Sequence, residues 1–132
     1  MPITTINPST VFNSLQYGFS QAVEVSSGRR VLLSGQVGVD EQERTVAAGL
    51  YGQTVKAFEN IQSILAGTGG DLSHVVMMRI YIAESVRDEQ DQITRVLLER
   101  FPDNPPASSW IIVSGLSLPQ WLIEIEVEAV IP

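Results

Sequence analysis

Isoleucine and valine at 123, 125 and 127 alternate with glutamate at 124, 126 and 128, within an apolar run extending to Ile131. Side chains repeat every two residues along a strand, so this pattern predicts a half-buried strand over residues 121–131. Residues 20–26 alternate in the same way, Ser27-Gly28 supplies turn chemistry, and Val31-Leu32-Leu33-Ser34 is a short apolar run. Together these predict a hairpin. Leu50, Thr54, Ala57, Phe58, Ile61, Ile64 and Leu65 recur at helical spacing and define one buried face. Gly67 and Gly69-Gly70 end that helix, because glycine accepts the left-handed cap conformation. Residues 75–82 are apolar and rich in β-branched side chains, as in a central strand.

Ser85, three residues before Asp88, resembles an N-cap, and Val86, Ile93, Leu97 and Phe101 give the second helix its stripe. Pro102, Pro105 and Pro106 stop it. Residues 110–113 form the next strand, and residues 3–6 suggest a short additional one. The order β-β-α-β-α-β-β predicts an α+β sandwich with both helices on one sheet face. The other face needs a cover, and in a chain of 132 residues that cover is expected to be another subunit.

Composition supports this picture. The length suits one domain over residues 1–132, able to bury roughly two thirds of its unfolded surface. With 44% hydrophobic and 17% charged residues, apolar surface is left over for an interface. The net charge of −7 and the lack of any basic cluster beyond Arg29-Arg30 argue against a nucleic-acid partner. With no cysteine there is no disulfide, thiol nucleophile or thiolate metal site. No apolar run approaches the roughly 20 residues needed to cross a bilayer, and the N-terminus lacks the pattern of a secretion signal. The expected compartment is the cytoplasm, with no membrane partner.

Candidate chemistry is sparse. Glu124, Glu126 and Glu128 share one strand face, where mutual repulsion would raise their pKa values and suit one for general acid–base work. The competing reading is an acidic solvent face. His74 is the sole histidine and reads as a loop residue, so no metal site and no cofactor are expected. Gly67-Thr68-Gly69-Gly70 follows a helix and lacks the Gly-Lys-Ser/Thr ending of a phosphate loop, so it reads as a cap. Arg79 lies inside an apolar strand, where a cation needs a partner; it reads either as an ordinary sheet-face arginine beside a glutamate or, with Met77 and Tyr81, as part of a face turned to an interface or pocket. Trp110 and Trp121 read as core or interface residues.

Four segments in order resemble the Rid (YjgF) family across about residues 15–131. Tyr17-Gly18-Phe19-Ser20-Gln21-Ala22-Val23 resembles its early Tyr-Ser-Gln-Ala-Val segment, with Phe19 at the tyrosine position. Ser34-Gly35-Gln36 matches directly, and Gln53-Thr54 through Phe58-Glu59-Asn60-Ile61 resembles its first helix. Ile125-Glu126-Val127-Glu128-Ala129 resembles its last strand.

The resemblance implies a chorismate-mutase-like sandwich of the bacillus type, with a mixed sheet and two helices on one face. It also implies a homotrimer with ligand clefts between subunits, and hydrolysis of small reactive enamines or imines. Deaminating members open the penultimate strand with Ala/Gly-Arg-Ser/Thr, whose guanidinium grips the substrate carboxylate with two prongs. Here the segment reads Pro106-Ala107-Ser108-Ser109-Trp110, with Ser108 at the arginine position and Trp110 at a small-residue position. Thr94 falls where many members carry asparagine. The resemblance carries the water-placing glutamate to Glu126, with Glu124 the alternative, and the ligand cleft to Phe19, Ser34, Gly35, Thr94, Ser108, Ser109 and Trp110. Losing a buried arginine anchor removes about 2–5 kcal/mol of carboxylate binding. The expectation is a divergent imine deaminase, or a trimer that binds a small metabolite without turnover.

Overall fold

The computed structural model describes residues 2–132. Six strands and two α-helices follow in the order β1 (Ile3–Ile6), β2 (Ala22–Val25), β3 (Arg29–Gln36), α1 (Leu50–Ala66), β4 (Val75–Ala83), α2 (Asp91–Arg100), β5 (Ala107–Val113) and β6 (Ile123–Ile131). Short 3-10 turns occupy Ser14–Tyr17, Leu72–His74 and Glu84–Glu89. The main sheet is mixed, with order β3-β6-β4-β5; β4 and β5 are parallel and the other pairs antiparallel. A parallel pair needs a crossover, which α2 supplies.

The hairpin expected from residues 20–34 does not form. β2 pairs with β1, placing Ile3 opposite Val25, and β3 pairs with β6, placing Leu33 opposite Val127. Gly28 directs this. Its φ of +122° suits glycine, and a Cβ there would collide with Val130, so the chain turns directly onto β6. The additional strand at residues 3–6 is present and gives β2 its partner.

The alternation of β6 is obeyed. Ile123, Ile125 and Val127 are at most 1% exposed, and Met78, Ile80 and Ile82 of β4 are fully buried beside them. Phe58, Ile61 and Leu65 of α1 and Ile93, Val96 and Leu97 of α2 complete one cluster on that face. Full burial of each such side chain stabilises by about 1.5–3 kcal/mol. Phe58 meets Phe101 edge to face at 5.5 Å, an aromatic contact between the start of the post-helix segment and α1.

Three local expectations are corrected. Ile64 is 40% exposed, while Gln53, a polar residue, is fully buried on α1. Gly67 keeps right-handed helical angles, and the left-handed residue is Gly69, at φ +84°. Ser85 caps nothing. It lies in the Glu84–Glu89 turn, where Val86 leaves helical angles as it buries its side chain, so α2 begins later, at Asp91. Among the described residues, no helix is long and apolar enough to cross a membrane.

Candidate functional site

The sheet face turned away from the helices carries Glu124, Glu126 and Glu128 of β6 beside Arg79 and Tyr81 of β4. Directly opposite pairs are Arg79 with Glu126 and Tyr81 with Glu124. The side chains bond diagonally instead, one pair along. Arg79 Nη2 reaches Glu128 Oε2 at 3.1 Å, and the Tyr81 hydroxyl donates to Glu126 Oε1. Long side chains can bridge such diagonals. The shift leaves Glu124 with neither an ion pair nor a hydrogen bond among the described residues.

The three carboxylates therefore differ in environment. Arg30 Nη2 also binds Glu128, at 3.0 Å, and hydrogen bonds from Arg30 and then Arg79 hold that carboxyl below its ordinary pKa. The expected mutual raising of the glutamates fails at Glu128 for this reason. Glu126 accepts a hydrogen bond from the Tyr81 hydroxyl on Oε1, and Oε2 has no protein partner among the described residues. That hydrogen bond raises the Tyr81 pKa, with partial burial and the Glu126 charge adding to it. Glu124 lies across Gly35 of β3, where a Cβ would overlap its carboxylate. Gly35 thus makes room for an acidic group.

A cavity of about 490 Å³ opens over these groups, lined by Tyr81, Glu124, Glu126 and the turn bearing Gly115, Leu116 and Ser117. A carboxylate held by one oxygen, with the other facing an open polar space, can orient water and accept its proton.

A second cavity, about 480 Å³, lies at the β5 edge on the helix side. It is lined by Phe12, Tyr17, Phe19, Gln90, Thr94 and Trp110. Gly18 shapes it. At φ +92° it sits so close to Leu97 that any Cβ would collide, and this docks the Ser14–Tyr17 turn on α2. The Ser20 amide then donates to the Pro106 carbonyl at 2.9 Å and ties the segment alongside β5. Phe19 stands 6.0 Å from the Trp110 ring and 6.4 Å from Phe12, giving a largely aromatic wall. Ser108 Oγ and Trp110 Nε1 are buried without a hydrogen-bond partner among the described residues.

The residues expected at one cleft thus form two groups within a chain. Phe19, Thr94 and Trp110 meet in the aromatic cavity, and Ser108 is on the same side of β5, opposite Met78. Glu126 faces the acidic cavity, Gly35 touches Glu124, and Ser109 lies opposite Arg79 on that open face. Ser34 belongs to β3, next to the irregularity between Leu33 and Gln36. Arg79, expected to need a partner, has one in Glu128. Phe12, Tyr17 and Gln90 were not expected in a site; Phe12 and Gln90 occupy irregular segments where periodicity carries no signal. His74 accepts the Asp71 amide on Nδ1 at 3.0 Å and caps its own turn. No cluster of three His, Cys, Asp or Glu suited to a metal occurs among the described residues.

Comparison with known proteins agrees with this architecture. The profile of the Endoribonuclease L-PSP family matches residues 13–131. The structure of YyfB, a Rid-family protein of Yersinia pestis, is 33% identical with a TM-score of 0.93, over 99% of this chain and 100% of that one. A RutC family protein of Saccharolobus solfataricus is 35% identical over 112 residues, 84% of this chain and 85% of the relative. A Dermatophagoides farinae protein named 2-iminobutanoate/2-iminopropanoate deaminase is 31% identical over 99 residues, 74% of each chain. A profile spanning nearly the whole chain, and a full-length structural match at one third identity, show that this chain belongs to the Rid (YjgF) family, the family described as Endoribonuclease L-PSP.

Proposed function

We propose that the chain is a Rid-family hydrolase that deaminates a small enamine or imine, working as a homotrimer in the cytoplasm. The observation that carries this reading is Glu126, which accepts a hydrogen bond from Tyr81 on Oε1, has no protein partner for Oε2 among the described residues, and lines a cavity. Such a carboxylate holds a water against an imine carbon and takes its proton. The relative named as a 2-iminobutanoate/2-iminopropanoate deaminase supports the reaction class. The trimer is supported by the open sheet face, which leaves Leu32 66% exposed next to charged residues. Packing that face on its copies would bring the acidic cavity of one subunit toward the aromatic cavity of the next. Phe19, Ser34, Gly35, Thr94, Ser108, Ser109 and Trp110 would then line clefts between subunits. Ser108 stands where deaminating relatives would carry arginine, so the substrate's grip differs from theirs.

A second reading is a trimer that binds a small metabolite without turnover. Trp110 and Phe19 favour it, since their rings make the helix-side cavity apolar. Ribonuclease activity is disfavoured by the net charge of −7, which repels a phosphate backbone.

The test generates a panel of imines in situ and follows ammonia release with and without the protein. The expected result is catalysis that Glu126→Ala lowers at least about a hundredfold, the usual contribution of a positioned acid–base group. Retention of full rate in Glu126→Ala would remove Glu126 from the mechanism. Absence of turnover, with thermal stabilisation by a metabolite, would favour the binding reading.

A further inference from the structure

Among the described residues no lysine or arginine lines either cavity of the proposed site, and each of these side chains has a protein partner elsewhere. The sequence holds eight lysines and arginines. Arg30 and Arg79 are both spent on Glu128. Arg44, Lys56, Arg87 and Arg95 lie within 4 Å of Asp40, Glu59, Glu84 and Glu99, each within the same helix, turn or loop. Arg29 donates to the Thr68 carbonyl and Arg100 to Gln62. A second copy of the chain brings the same eight lysine and arginine side chains. Meanwhile the cavity beside the proposed water-placing Glu126 also holds Glu124, which the diagonal pairing leaves unneutralised.

A carboxylate ligand would enter this site against two negative charges with no guanidinium in the cavity lining, the nearest, Arg79, being held by Glu128. A cation would be drawn in, because desolvated walls strengthen the field of fixed charges. We infer that the substrate is an imine without a carboxylate, bound as its iminium and derived from a primary amine rather than from an α-amino acid. This rests on the deaminase reading above and narrows its substrate class.

The chemistry balances. Water oxygen adds to the iminium carbon, the C=N π pair moves to nitrogen, and Glu126 takes one water proton. Glu126 returns that proton to the nitrogen of the carbinolamine. The C–N bond then breaks with its electron pair leaving on nitrogen, and the hydroxyl proton passes to the departing ammonia. An aldehyde and ammonium result. The reaction that supplies such a substrate is the two-electron oxidation of a primary amine.

The experiment compares side-chain-matched imines on the purified full chain. A flavin amine oxidase acting on butylamine supplies the carboxylate-free imine, and an amino-acid oxidase acting on norvaline supplies its carboxylated counterpart. A benzyl-substituted pair repeats the comparison. Ammonia release is read at low and high salt. The expected kcat/KM is at least about tenfold higher for the amine-derived imine, with the advantage shrinking as salt screens the field. Glu124→Gln is expected to lower the rate on the amine-derived imine and leave or raise that on the carboxylated one. Equal or faster turnover of the carboxylated imine overturns the inference and leaves the deaminase reading standing. Failure to turn over either imine of both pairs overturns the inference together with that reading.

Discussion

Glu128 is the one carboxylate on the open sheet face that is fully committed to structure. Two guanidiniums hydrogen-bond it, and its pKa is held below the ordinary 4.5. A carboxylate depressed by folding adds stability that is present above its unfolded pKa and lost as pH falls through the folded value. Glu128→Gln should therefore be less stable than the parent near neutral pH. The gap should close as pH drops below 4.5, which urea unfolding from about pH 3 to 7 would reveal. A gap independent of pH would mean that the two arginines contribute through packing alone. Glu124 and Glu126, four and two residues earlier, escape this commitment because each β4 side chain reaches one pair along the strand. A one-pair diagonal thus separates a structural carboxylate from two that face a cavity.

At the scale of elements, Gln53 links three parts of the chain. Its amide donates from the fully buried face of α1 to the carbonyls of Ala47 and Gln120, and its oxygen accepts from the Leu122 amide. These bonds fix the loop entering α1 and the turn leading into β6. Asn60 extends the link by donating to the Val37 and Val39 carbonyls. Gln53→Ala removes the partner of three part-buried backbone groups, each costing about 1–3 kcal/mol where water cannot replace the bond, though not additively. The expected loss is about 3 kcal/mol in thermal or denaturant unfolding. A loss under about 1 kcal/mol would show that water satisfies those groups in its place. Because the turn before β6 also borders the acidic cavity, activity should fall along with stability.

The whole molecule leaves one sheet face without a helix. Leu32 is 66% exposed on β3, and Arg79, Tyr81 and the glutamates line the strands beside it. If this face is the proposed subunit contact, Leu32→Glu places a like charge opposite Glu128 and removes apolar area from the interface. Light scattering should then change from a mass three times that of the chain to the mass of one, with circular dichroism unchanged. An unaltered mass would locate the contact elsewhere. Since the proposed clefts need two subunits, dissociation should also abolish turnover.

Periodicity in the sequence determined the elements and the side each strand buries. The β6 alternation, the α1 stripe and the proline-stopped second helix are all present, because burial follows directly from the two repeat lengths. The resemblance to the family adds the expectation that Glu126 and the Phe19, Thr94 and Trp110 group serve one ligand cleft, which the proposed function takes up. What the sequence could not specify is pairing across the chain. Whether β2 meets β3 or β1 depends on how Gly28 packs against Val130, a contact about a hundred residues apart that local pattern does not encode. The same holds for the polar groups. Gln53 reads as a surface residue until its distant backbone partners are known, and three equivalent-looking glutamates become unequal only once β4 lies beside them. Local chemistry sets which residues can be buried or charged; the tertiary structure alone decides which of them are paired, and so which remain free to act on a ligand.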